Sequence, residues 1–271
     1  TQAYFEYGLD LSQRGPGAST VLYDQSTAPQ PVGSDVADHT VTASLTGLVP
    51  GALYHIRLVA TSVAGTTRGP DQTFTTAAAP PPPAPVLGQS EDAKPVSGTV
   101  FIRTASGQFI PLTGASQIPS GTVIDALHGS LQLTAAVAKG KTEHGVFGGA
   151  VFKLTQAKAG RLKGLTTLAL LENAFKGAPS YATCKAHKAA DATVASSKTL
   201  QLLKASAHGK FRTSGRYSAA TVRGTKWTLA DRCDGTLTHV ITDSVAVTDF
   251  VRHKTIILHA GQSYLAKARK P

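Results

Sequence analysis

Three kinds of side chain in this sequence are able to do chemistry, and each also has a plainer role open to it. Cys184 and Cys233 are the two cysteines. In an exported chain a lone pair joins as one disulfide, whereas in a cytosolic chain the same residues stay unrelated thiols. Closing a loop of roughly fifty residues stabilises a fold by about 4 kcal/mol in the chain-entropy description. No flanking motif marks either cysteine as a nucleophile. Nine histidines are present, but none has H-x-H or H-E-x-x-H spacing and no C-x-x-C pair accompanies them, so no metal or other cofactor is expected. His253 and His259 can share a sheet face, which in a period-two strand is ordinarily the solvent side.

The carboxylates are weaker candidates. Asp231-x-x-Asp234-Gly235 lacks the alternating oxygen ligands of a calcium loop and reads as a hairpin turn. Glycoside hydrolysis needs two carboxylates about 5–10 Å apart. Beyond residue 76 the acids are Glu91, Asp92, Asp125, Glu143, Glu172, Asp191, Asp231, Asp234, Asp243 and Asp249, and none sits in a motif. No G-x-S-x-G occurs for acyl transfer. The cations are more informative. Between Ala192 and Ala230 lie Lys198, Lys204, Lys210, Arg212, Arg216, Arg223 and Lys226 with no acid among them, and Tyr217 and Trp227 are interleaved. Such a face suits a phosphate-rich wall polymer, an acidic polysaccharide or nucleic acid. Its plainer role is a solvated face whose long stems cover apolar surface. With aromatics at 6% and no nucleic-acid motif, nucleic acid is the least expected partner.

The elements that would position these groups follow from composition and period. The 271 residues are 41% hydrophobic and 16% charged, enough apolar material for two cores and too little charge for wholesale disorder. No apolar run approaches the roughly 20 residues of a membrane span. Methionine is absent, so Thr1 is read as the start of a processed or excised product, and no signal peptide is visible. Charge is divided unevenly: residues 1–76 carry a net −3 and the remainder +14. The boundary is Ala77–Pro85, whose consecutive prolines favour a stiff polyproline spacer, and polar Gly88–Lys94 reads as its extension. Both flanking parts are expected to be β. Ala3–Tyr7, Val41–Leu45, Tyr54–Ala60 and Gln72–Thr76 alternate in the first part. In the second, short runs such as Ala150–Thr155, Lys226–Leu229 and Val245–Phe250 are separated by Gly, Pro and Lys. A helix is expected only near Cys184–Ala195, where Ala and Lys supply propensity without a good apolar stripe.

The first part resembles a bacterial fibronectin type III domain over residues 1–76. The resemblance rests on Tyr4-Phe5-Glu6-Tyr7-Gly8, Leu45-x-Gly-Leu48-x-Pro50-Gly51-x-x-Tyr54-x-x-Arg57, Ala60-x-Ser62-x-x-Gly65 and Gln72-Thr73-Phe74. In the long run Pro50-Gly51 turns the chain, and Tyr54 packs its ring while its hydroxyl bonds back near the turn. Only three residues precede Tyr4, so this sandwich is two strands short: either the chain has been cut or another chain donates them. The second part resembles a FecR-like β domain of exported bacterial proteins, assigned to about residues 94–271. There the resemblance rests on Val222-Arg223-Gly224-Thr225-x-Trp227-x-Leu229, Gly235-Thr-Leu-Thr-x-Val240, Val245-x-Val247 and Gly261-Gln262-Ser263. It implies a compact envelope domain without catalysis, and the extracytoplasmic setting favours the disulfide.

The expected architecture is thus all-β: an incomplete fibronectin-like β-sandwich, a proline-rich linker over residues 77–93, and a basic FecR-like domain. The expected function is a non-catalytic secreted or cell-surface structural or adhesive protein. It would self-associate by strand donation to residues 1–76 and hold an anionic envelope polymer. A secreted polysaccharide hydrolase with an accessory fibronectin module, and a polyanion-binding module, are the alternatives.

Overall fold

A computed structural model describes residues 1–11, 23–35, 37–184, 186–189, 192–222 and 224–268. Apart from two single-turn 3-10 helices, every regular element among them is a strand. The chain is all-β. It divides into two compact units, Thr1–Pro80 and Pro81–Pro271.

The first unit is one sheet of β1 (Gln2–Leu9), β2 (Gln25–Ser26), β3 (Gln30–Pro31), β4 (Leu53–Ser62), β5 (Gly65–Arg68) and β6 (Gln72–Thr75). β1 pairs antiparallel with β4 over its whole length, from Gln2↔Thr61 to Leu9↔Tyr54. This register places Ala3, Phe5, Tyr7 and Leu9 on the same face as Ala60, Leu58, Ile56 and Tyr54, because side chains alternate along each strand. The other face carries Tyr4 and fully buried Val59 beside a polar cluster. Glu6 receives Arg57 at 2.6 Å and Arg68 at 3.2 Å, and Arg57 lies 3.8 Å above the Tyr23 ring. The Leu-x-Pro-Gly-x-x-Tyr run behaves as its chemistry requires. Gly51 takes a left-handed φ of 65°, and the Val49 N–H donates to the Tyr54 hydroxyl at 2.9 Å. The Tyr54 ring stacks on Phe74 at 5.6 Å.

The second unit begins with β7 (Ser90–Arg103), β8 (Phe109–Pro111), β9 (Ser116–Pro119), β10 (Val123–Ala138), β11 (Lys141–Gly148) and β12 (Val151–Gln156). It continues with β13 (Thr166–Leu170), the hairpin β14 (Ala186–Ala189) and β15 (Ala192–Ala195), β16 (Thr199–Ala207) and β17 (Phe211–Ser214). β18 (Ser218–Val222), β19 (Thr225–Arg232), β20 (Gly235–Val240), β21 (Ser244–Asp249), β22 (Lys254–His259) and β23 (Ser263–Lys267) complete it. Two expectations fail here. The helix near Cys184–Ala195 is instead the β14–β15 hairpin, paired Ala186↔Ala195 to Ala189↔Ala192; without an apolar stripe a helix has no face to bury. Ser90–Ala93 belong to β7 and not to the spacer, because β9 and β10 pair with them on either side and satisfy their backbone groups.

Sixteen-residue β10 organises this unit. Its first residues pair with β12 and its later ones with β11, while β7 follows it along the other edge. The register breaks between Asp125 and His128 and again at Ser130/Leu131. There Gly129 lets the strands meet: a Cβ on it would stand 2.5 Å from the Thr99 carbonyl oxygen. From this bend two layers diverge, β12-β13-β17-β18-β21-β22 and β11-β16-β19-β20-β23. Their inner faces meet as a sandwich. Phe147 of one layer lies 5.4 Å from Phe211 of the other, and Trp227 packs edge-on to Phe147. Trp227 is fully buried, and its indole N–H donates to Thr213 Oγ1 across the layers at 2.8 Å. At the far margin Tyr264 of β23 donates to Asp249 at 2.7 Å, drawing the two ends of the sheet together toward a barrel.

Removing the acceptor of a buried N–H exposes its full desolvation cost. Thr213→Val keeps the shape and is expected to lower unfolding free energy by about 1–3 kcal/mol without changing the denaturant slope. Trp227 is the sole tryptophan, so urea unfolding followed by its fluorescence reports this unit directly.

Candidate functional site

Three places carry the groups that the sequence singles out. The first is the apolar face of the Thr1–Pro80 sheet. Burial along it is interrupted: Leu9 and Tyr54 at one end and Ala3 at the other are buried, whereas Leu58 between them is 41% exposed. Phe5, Ile56, Leu58 and Pro70 line an open hollow of about 230 Å³ on this face. Val41–Leu45, expected as a strand from its alternation, has no ladder partner among the described residues. Among the described residues the Thr42 carbonyl accepts from the Gln30 side chain at 2.7 Å. The segment has the alternation of a strand without a ladder partner among the described residues.

The second place surrounds the disulfide. Cys184 and Cys233 are bonded, with Cα atoms 5.4 Å apart. Cys233 occupies the two-residue turn between β19 and β20, so the Asp231–Gly235 segment is the hairpin that its Asp-Gly pair suggests. Beside it Asp231, 4% exposed, accepts from the Thr236 hydroxyl at 2.6 Å and the Arg216 N–H at 3.1 Å. Burial pushes its carboxyl above the ordinary range. Burial, then the Asp231 charge, push Tyr181 up as well. Glu172 accepts from the Tyr181 N–H at 2.9 Å and from Arg216 at 3.2 Å. The Arg216 guanidinium also lies 4.5 Å over the Tyr181 ring. These contacts run between residues 172–184 and the strands β17–β20, which makes the cluster a clasp for the long excursion that ends at Cys184. Among the described residues no group of three His, Cys, Asp or Glu is placed to hold a metal ion.

The third place is basic, and the run from Lys198 to Lys226 does not form one face. Lys204 and Lys226 lie on the outer side of β16 and β19, along a cleft of about 630 Å³ with Ser130, Gly148 and Thr228. Lys210 and Arg212 belong to the opposite layer. They line a cleft of about 450 Å³ together with Arg161 and Lys163, which come from a loop some fifty residues upstream. Arg216 is committed to Glu172. Lys198 sits in the turn before β16, its carbonyl accepting from the Cys233 N–H at 3.0 Å. Arg223 lies outside the described residues. The expectation of a single surface is corrected: β16 and β17 are consecutive in sequence but part company at the 207–211 turn. Arg161 and Lys163 escaped the sequence reading because a search for runs of charge cannot see cations brought in from a distant loop.

One buried acid has no assigned chemistry. Glu91 of β7 is wholly inaccessible, and neither carboxylate oxygen has a hydrogen-bond partner among the described residues. Burial pushes it up to about 7, the nearby Ser120 hydroxyl pulling weakly the other way. No protein-family model matches this sequence, and neither does any curated protein or solved structure.

Two outcomes follow. The folded state keeps a proton on Glu91 that the unfolded chain releases above its ordinary value of 4.5, so this residue's stabilising contribution is full below that pH. It falls as pH rises to about 7 and is flat beyond. The whole step amounts to about 3 kcal/mol. Glu91→Gln should therefore match the parent in urea unfolding near pH 4.5 and exceed it by up to that amount at pH 8. Cys184→Ser/Cys233→Ser should lower unfolding free energy by about 2–4 kcal/mol, and reductant should then have no further effect on its melting.

Proposed function

We propose that the chain is a non-catalytic, extracytoplasmic structural or adhesive protein of bacterial type, whose first unit joins to a neighbour by accepting β-strands. The reading is supported by an open apolar face on the first sheet together with a strand-like segment, Val41–Leu45, that has no ladder partner among the described residues. A half-covered sheet is stabilised by a second layer, and an unpaired extended segment is a template for strand addition. Fibronectin-like and FecR-like ancestry fits the Tyr54 corner, the two all-β units and the disulfide between Cys184 and Cys233. The bond is of the kind that persists in oxidising compartments. No helix among the described residues is long and apolar enough to cross a membrane.

Light scattering coupled to size-exclusion chromatography tests the reading. Mass should rise with concentration. Ala43→Pro should suppress that rise, because Ala43 is exposed outside the ladders of the described residues and proline there cannot donate to a new one. A chain that stays monomeric at every concentration contradicts it.

A further inference from the structure

The cleft shared by Arg161, Lys163, Lys210 and Arg212 bears on a ligand, independently of how the first unit assembles. Its walls come from four stretches: Glu143 of β11, the loop at 161–165, residues 209–212 leading into β17, and Thr221 and Val222 of β18. Two of the four cations are held in place by the fold. The Lys210 ammonium donates to the Lys163 carbonyl at 3.2 Å, and the Arg212 Nε donates to Thr221 Oγ1 at 3.1 Å. Among the described residues no carboxylate forms an ion pair with any of the four. The one acid lining the cleft, Glu143, accepts the Lys210 backbone N–H at 2.6 Å. Cations free to fan into water relieve their mutual repulsion; these line one concave site of about 450 Å³, where the field they sum to attracts an anion.

The remaining lining settles which polyanion suits it. Leu162, half exposed, and buried Leu165 and Val222 form an aliphatic floor, and no aromatic ring lines the cleft. Single-stranded nucleic acid is gripped by stacking bases on aromatic side chains, so this surface offers nothing to a base. A sugar ring carrying sulfate or phosphate esters presents an apolar face to the leucine and charge to the guanidinium and ammonium groups. We propose that this cleft is a binding site for an acidic glycan bearing sulfate or phosphate esters, with Arg161 and Lys163 as contact residues beside Lys210 and Arg212.

Heparin, a sulfated glycan, is the probe, with the full chain and a titration across salt concentration. Arg161→Gln/Lys163→Gln should weaken heparin binding about tenfold and flatten the dependence of log K on log salt by roughly 1–2. Lys204→Gln/Lys226→Gln removes the same charge from the other layer and should stay within about twofold of the parent. All four positions are on the surface, and Trp227 fluorescence verifies that each variant is folded. Equal loss in both variants would mean bulk charge alone and would overturn the site, as would an unmodified chain that ignores heparin at low salt. Tighter binding of a single-stranded oligonucleotide than of heparin would overturn the glycan assignment.

Discussion

A β-sheet with one apolar face has to cover that face, and the two units meet this constraint differently. In the second unit a single strand is long enough to belong to both layers. β10 turns at Gly129, where only a hydrogen-sized side chain lets β7 and β10 approach, and the sheet folds back on itself. Phe147, Phe211 and Trp227 then fill the interior from opposite sides. The Trp227–Thr213 hydrogen bond lets a polar group span the layers without a desolvation cost. In the first unit no described strand performs the covering role. The β1–β4 pair is long and in continuous register, yet Leu58 remains in solvent contact.

That difference gives the assembly reading its physical content. Apolar area removed from water contributes roughly 25 cal/mol per Å², so a partner strand laid over Phe5, Ile56 and Leu58 gains hydrophobic free energy. The same logic separates the clasp from the clefts. Asp231, Glu172 and Arg216 engage one another's backbone and side chains, with Arg216 over the Tyr181 ring, and secure the excursion ending at Cys184. The Arg161–Arg212 cleft holds four cations that no carboxylate pairs with among the described residues.

Much of the fold was legible because period and turn chemistry agree. Leu48-x-Pro50-Gly51-x-x-Tyr54 implies a turn and a hydroxyl bonding back to it, and the Val49–Tyr54 contact is that bond. The strands at Ala150–Thr155 and Val245–Phe250 announce themselves by apolar runs. β16 does not: Leu, Gln, Lys and Ala are helix formers, and its burial alternates only because β11 and β19 flank it. Alanine and lysine misled in the same way at β14–β15, where pairing overrode propensity. Polar Ser90–Ala93 looked like spacer, since nothing local reveals that Glu91 is sealed between β9 and β10. For the candidate sites, the cysteine pair was visible as two residues without alternatives. The basic cleft was half visible, because Lys210 and Arg212 lie in the charged run while Arg161 and Lys163 arrive through tertiary structure alone.

The account stands most directly on the state of Val41–Leu45, which hydrogen–deuterium exchange resolves at the level of backbone amides. In dilute protein these amides should exchange as freely as an unstructured loop, and at high concentration they should become protected along with the β1–β4 strands. Strong protection of Val41–Leu45 in the dilute monomer would show that the first unit already completes itself, and would contradict the claim that it is built to be completed by another chain.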